Sequence, residues 1–497
     1  MRKALPMLRQ FSQEKSDFGY IGEEVRIIEA SNKNAFIDSI EQRKSAFLDV
    51  GMQYIGLEGI LNISYSIQLM KNLEKLHLKL NENDIGIEEI EYLAEAIGSL
   101  KYLKDLSLNL DYNQIKTEGI KLLIEQLLKV SKLEVLTLSL INNELGDEGV
   151  SIISEYLSHM KHIQMLQLQL DSNMITGQGM NILSDGLTNL KRLKSLKLIV
   201  GENQLGVQGI KEIANGIHNL RELQDLSLFL GWNSLQNEGM KEFSDGLKNL
   251  RKLKSLDLNF YQNNMEDEAA IELSMALLHL TGLTQLQLLL NYNKLGSEGV
   301  SALAHSLKQL RHLKKLTFVL IENKIDKMGA IETAQALNEL QGLNELILSF
   351  KSNKITDEGA KELEKSISSL KNLQSLNMNL KQVVNTYVQT IQINLNKNFS
   401  MTGMSPEMQT MYGKELFMQI QLLNQLRIGL DFQSPIVNMI ISRMELMNEF
   451  IMEIAALQKI GIKKYFTQEM LLLIEQDMVI DILGTDFLSL VPLNYRF

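Results

Sequence analysis

Cysteine is absent from the 497 residues, which excludes disulfides, a thiol nucleophile and any cysteine-ligated zinc or iron–sulfur centre. That absence points to a reducing, intracellular setting. Proline is scarce: the chain has four, at Pro6, Pro406, Pro435 and Pro492. None falls between Met7 and Ser405. Domain boundaries usually carry proline in their linkers, so this stretch reads as one uninterrupted architecture. No run of about eighteen apolar residues occurs, so no segment reads as a membrane-spanning helix. An excess of positive charge is lacking too. The formal net charge is −10 and the pI about 5.4, which argues against a nucleic-acid binder working through bulk electrostatics. A hydrophobic content of 45% supports a large core and excludes a mainly disordered chain.

What is present is a repeat. Asparagine recurs at Asn83, Asn113, Asn143, Asn173, Asn203, Asn233, Asn263, Asn293, Asn323 and Asn353, a period of thirty residues. The same apolar pattern precedes each, as in Leu73, Leu76, Leu78 and Leu80. An apolar residue follows two places on (Ile85, Ile115, Leu145), and then usually a glycine, as at Gly119, Gly149 or Gly179. Two periodicities coexist in each unit. Leu76, Leu78 and Leu80 alternate with polar residues, the mark of a strand with one buried face. Ile90, Leu93, Ile97 and Leu100 are three and four apart and form one stripe of a helix. A strand and a helix in thirty residues cannot bury their apolar faces alone, so stacked neighbours must do it. The asparagine is suited to hydrogen-bond backbone groups left open where the chain turns out of the strand.

These residues resemble leucine-rich repeats, specifically the ribonuclease-inhibitor-like subtype, with its LxxLxLxxN pattern and helical second half. The resemblance covers residues 43–382, with strands expected to begin at Leu73 and every thirty residues to Leu373. A degenerate first turn holds Ala46, Leu48 and Val50. The fold it implies is an α/β solenoid of about eleven or twelve turns, a parallel sheet inside and helices outside. The function it implies is protein–protein recognition. One departure stands out: the pattern here is LxxLxLxLxxN, and the extra pair predicts a longer strand or a bulge.

The flanks read differently. Residues 383–497 drop the asparagine period and read as an all-α capping or docking domain, with Ser405–Pro406 and Ser434–Pro435 as helix starts. Eleven of the 24 methionines lie there, suited to adaptable helix-in-groove contacts. Residues 1–42 form an N-terminal arm. Its first dozen residues hold Arg2, Lys3 and Arg9 with no acid before Glu14, and positions 1–11 resemble a mitochondrial presequence. Mitochondrial location is therefore slightly favoured over a cytoplasmic or a cytoskeletal or ciliary one.

Enzyme chemistry has little to stand on. There is no GxxxxGK[ST] loop, no GxSxG and no HExxH. His159 and His162 are close in sequence but make a poor metal site, and neither a cofactor nor a metal is expected. Bases recur at one unit position (Lys101, Lys161, Lys191, Arg221, Arg251) and acids at another (Glu118, Asp147, Glu148, Asp267, Glu268). Helix ends and helix starts favour these charges by about 0.3–1 kcal/mol each through the macrodipole, so the pattern reads as structural.

The inner face of the sheet discriminates best. At the position before the last strand leucine most turns carry polar residues, but four carry Ile199, Phe229, Leu289 and Val319. Beside them, at the strand exits, come Trp232, Tyr261 and Tyr292. Strands lie about 4.8 Å apart, so these seven residues are expected to form one partner-binding patch. The expected role is a non-catalytic scaffold, an accessory or structural subunit of a multi-subunit assembly. It would hold protein partners and no nucleic acid. The alternative is a GTPase-activating regulator resembling the Ran activator, although that family's long acidic tail is missing and its catalytic arginine maps to no position here.

Overall fold

The computed structural model describes residues 42–380. The arm, the presequence-like segment and the helical domain expected at 383–497 lie outside these residues. Among the described residues twelve strands form one sheet in sequential order. They are β1 (Ser45–Asp49), β2 (Lys75–Lys79), β3 (Asp105–Asn109), β4 (Val135–Ser139), β5 (Met165–Gln169), β6 (Ser195–Ile199), β7 (Asp225–Phe229), β8 (Ser255–Asn259), β9 (Gln285–Leu289), β10 (Lys315–Val319), β11 (Glu345–Ser349) and β12 (Ser375–Asn379). All pairings are parallel and join residues thirty apart, such as Leu76 with Leu106 and Leu196 with Leu226. Each of the first eleven strands is followed by a helix, for example Ile87–Gly98 after β2 and Lys116–Leu127 after β3. Residues 42–380 are thus an α/β solenoid of stacked strand–helix units.

Alternation builds the core. Leu76, Leu78 and Leu80 are at most 1% exposed, and Ile90, Leu93 and Ile97 of the next helix face them from the other side of one continuous cluster. Strands need about 4.8 Å of spacing while packed helices need about 8–10 Å. The repeats therefore curve with the sheet on the inside.

The strand begins two residues later than its hydrophobic pattern indicates. Leu73 is fully buried, but its amide donates to the Met70 carbonyl at 3.1 Å, in the turn that ends the preceding helix. A buried turn leucine and a buried strand leucine look alike in sequence. The extra leucine pair extends the parallel pairing beyond Lys79 and makes no bulge there. The Leu80 amide donates to the Asn109 carbonyl at 2.8 Å and the Glu82 amide to the Asp111 carbonyl at 2.9 Å. Parallel bonding to the next turn thus continues for two more residues and buries one more leucine per unit.

The asparagines bind the units together. Asn173 is fully buried; its Oδ1 accepts the Asn143 amide at 3.0 Å and the Leu145 amide at 3.3 Å. Its Nδ2 donates to the Leu140 carbonyl at 2.8 Å and the Asp171 carbonyl at 3.0 Å. All ten asparagines accept from the amide 28 residues earlier. All ten donate to the carbonyl 33 residues earlier. Each turn is therefore stapled to the one before it, and buried polar backbone finds its partners without water.

The recurring glycine answers a packing need. A Cβ on Gly299 would lie 2.6 Å from Asp267 Oδ1 and 2.9 Å from Ala270 Cβ of the preceding helix. Helices 30 residues apart touch there, and only a hydrogen fits between them.

Candidate binding face at the strand ends

After its last buried leucine each unit turns sharply. In all ten ladder turns the residue just ahead of the asparagine has φ between +50° and +58°, and none of the ten is glycine. That left-handed conformation costs an L-residue roughly 1–2 kcal/mol. Seven of the ten are the polar residues Glu, Ser, Asn or Gln. The other three are Tyr112, Trp232 and Tyr292, exposed by 53%, 46% and 46%. A bulky side chain held at positive φ in solvent is a constraint that packing does not require.

Two of these rings join a third. Trp232 and Tyr261 have centroids 4.2 Å apart at 38°, and Tyr261 and Tyr292 are 4.9 Å apart at 40°. The three rings form a continuous tilted stack across three turns, an arrangement worth about 0.5–1.5 kcal/mol per pair beyond area burial. Tyr261 is anchored by its amide, which donates to Asn259 Oδ1 at 3.0 Å. Its hydroxyl is pushed above the ordinary phenol range, first by loss of solvent and then by the neighbouring Tyr292. Gly201 and Gly231 occupy the equivalent position in the two preceding turns, so the stack ends on bare backbone.

The apolar row beneath is less continuous than its sequence indicates. Ile199, Phe229 and Leu289 close β6, β7 and β9 and are half-buried. In register Ile199 lies beside Phe229, and Leu289 beside Val319, but Asn259 separates the two pairs. Val319 is only 9% exposed, because a short β-branched side chain flanked by Leu289 offers little surface. Of the seven expected residues the structure brings Trp232, Tyr261 and Tyr292 into contact and sets Ile199 against Phe229. Leu289 stands across Asn259, and Val319 leaves the surface.

The sheet face also carries charges that the sequence pattern alone did not single out. Lys197 Nζ stands 5.3 Å from the Phe229 ring centroid, a cation–π distance. Asp257, on β8, is held above the usual carboxylate range by burial, against the opposing effects of a 2.7 Å bond from Gln287 and the Lys197 charge. Asp171 is pushed up to about 6 by burial, although it accepts the Gly201 amide at 2.9 Å. Its Oδ2 is buried with no hydrogen-bond partner. Tyr112, Lys197 and the two glycines become visible only once columns thirty apart are set side by side on a known strand exit.

Among the described residues no group of three acidic or histidine side chains is placed to hold a metal ion. None of the described helices is long and apolar enough to cross a membrane. Parallel strand, asparagine staple and outer helix at one fixed period give the described residues the architecture of a leucine-rich-repeat solenoid. A family model described as Leucine Rich repeat matches residues 286–304 and 346–363, which cover the strands and helix starts of two units. No curated protein matches the chain in sequence. Leucine-rich-repeat domains generally mediate protein–protein interaction.

Proposed function

We propose that the chain is a non-catalytic scaffold that holds a protein partner on the sheet face around Trp232, Tyr261 and Tyr292. The observation that carries this reading is the aromatic stack, two of whose rings are kept exposed on backbone of positive φ. Rigid aromatic anchors with few rotatable bonds are the side chains that dominate interface energetics. Phe229 and Ile199 extend the apolar floor, while Glu202 and Asp257 ask for positive charge on the partner. The ribonuclease-inhibitor-like subtype, membership of a multi-subunit assembly and a mitochondrial address belong to the same proposal. The address rests on residues 1–11 alone, and cell fractionation tests it.

Crosslinking mass spectrometry on native material identifies the partner. With the purified partner, Trp232→Ala should weaken binding more than about tenfold, because central aromatic anchors typically cost about 2 kcal/mol or more when truncated. The single tryptophan should shift its emission to the blue on binding. If binding survives Trp232→Ala unchanged and emission does not move, the partner sits elsewhere.

A further inference from the structure

The opposite edge of the sheet, where the strands begin, carries a second surface of different chemistry. Every helix ends there, and a short turn leads into the next strand. Lys101, Lys161, Lys191, Arg221 and Arg251 stand just past the helix ends, where the macrodipole favours them. That field fades within the last helical turn. It does not account for Lys132 and Arg192 one residue further on, or for Lys104 and Lys194 at the strand starts.

These rows enclose a groove of about 780 Å³ between the turns of β3 and β7, with Lys104, Lys132, His162, Arg192 and Lys194 in its lining. Two carboxylates, Glu134 and Glu222, share the lining, and both are engaged. Glu134 accepts from Gln164 Nε2 at 3.2 Å, and both oxygens of Glu222 take Lys252 Nζ at 2.7 Å. Lys104 is neutralised by Glu74 at 2.7 Å. Among the described residues none of the remaining cations is in an ion pair, and Glu134, bonded only to a neutral amide, is the one uncompensated negative charge in the lining. Lys194 Nζ reaches only the neutral Oε1 of Gln164 at 2.9 Å, and Lys132 Nζ lies 4.9 Å from the Tyr102 ring centroid. Among the described residues no ion pair neutralises Arg192, whereas on the same edge Lys252–Glu222, Arg311–Glu339 and Lys315–Glu345 pair off.

We propose that this groove binds an extended acidic segment of a protein partner, whose carboxylates meet Lys132, Arg192 and Lys194. From β3 to β7 is four strand spacings, or roughly 19 Å at about 4.8 Å each, which suits about six extended residues at about 3.3 Å per residue. Glu134 and Glu222 repel a phosphate backbone, whose charges sit on the main chain at fixed spacing, whereas carboxylates on rotatable side chains can turn to the free cations while the peptide backbone meets Gln164. This site lies a strand's length from the aromatic stack and does not depend on it.

The test uses the full chain and a fluorescein-labelled, end-capped hexaglutamate peptide, read by anisotropy at two salt concentrations. Hexalysine and a single-stranded oligonucleotide of equal charge to hexaglutamate serve as comparison probes. The proposal expects hexaglutamate to bind, its affinity to fall as salt rises, and any binding of hexalysine, which the acidic faces would take, to be unweakened by the groove variants. The double variant Arg192→Glu/Lys194→Glu should weaken binding by about tenfold or more, since it sets like charges against the peptide. Arg251→Glu, on the same edge outside the groove, should change it by less than about twofold. The neutral pair Arg192→Gln/Lys194→Gln, checked for an unchanged circular-dichroism melt, should show an intermediate loss. Absence of hexaglutamate binding overturns the proposal, as does an equal loss with Arg251→Glu or tighter binding of the oligonucleotide.

Discussion

Replacing Asn173 by alanine tests the idea that the array is held together turn by turn. The side chain is fully buried and makes four hydrogen bonds, two from Oδ1 and two from Nδ2. The Asp171 carbonyl keeps a second donor, the Asn142 amide at 3.0 Å. The variant takes away the side-chain partner of the Asn143 and Leu145 amides and of the Leu140 carbonyl, inside the core where water does not reach. A buried polar group left unsatisfied costs about 1–3 kcal/mol. The Leu145 bond is already long at 3.3 Å, so the total is taken at about 3–5 kcal/mol. Urea unfolding followed by far-ultraviolet circular dichroism measures the loss, and hydrogen exchange locates it in residues 140–146. Asn189→Ala is the control: Asn189 is exposed and makes one bond to the Asp185 carbonyl at 3.0 Å, so its removal should cost less than about 0.5 kcal/mol. A loss under about 1 kcal/mol for Asn173→Ala, or exchange that quickens evenly across the array, would refute the reasoning.

Three further outcomes are expected. The Tyr156 hydroxyl is buried without a hydrogen-bond partner and its pKa is raised by burial, so Tyr156→Phe should raise stability by about 1 kcal/mol in denaturant titration. Asp171 has a folded-state pKa of about 6, above its unfolded value. The folded protein therefore holds this proton more tightly, and its contribution to stability grows as pH falls from 7 through 6 towards 4. Asp171→Asn should raise the melting temperature at pH 7 and remove that gain on acidification, seen by comparing melts of the two proteins across this range. Gly246→Ala should destabilise by about 1–3 kcal/mol despite alanine's better helix propensity, because the new Cβ would lie 2.8 Å from the Ala214 carbonyl oxygen. Thermal melts check it, and a stabilised variant would show that the helices have room to part.

The fold was legible in the sequence because its two determinants are residue types at fixed spacing. Asparagine every thirty residues and leucines two apart need no knowledge of the third dimension to be recognised. Leu73 misled because burial in a turn and burial in a strand leave the same trace. The candidate site was legible only in part. Trp232, Tyr261 and Tyr292 were readable as aromatics on adjacent turns, whereas their contact depends on ring tilts that sequence does not carry. Val319 and Asn259 show the limit from the other side, since exposure is decided by what flanks a residue across the sheet. The positive φ ahead of each asparagine was hidden entirely, because none of the ten residues is glycine. The basic edge was visible as a pattern, and only the distances separate its neutralised lysines from the unmatched charge of Arg192.

The offsets of the asparagine bonds have a consequence for how such a chain changes over generations. The staples reach back 28, 30 or 33 residues, so a genetic duplication or loss of one whole unit restores each bond at the new junction. A frame-preserving insertion of any other length inside a unit severs them. The number of turns is therefore free to drift while the geometry of each turn is not. The aromatic stack does not share that freedom, because it exists only while the turns bearing Trp232, Tyr261 and Tyr292 remain consecutive. Natural length variants that keep those three turns adjacent keep the shelf, and an inserted unit between any two of them divides it.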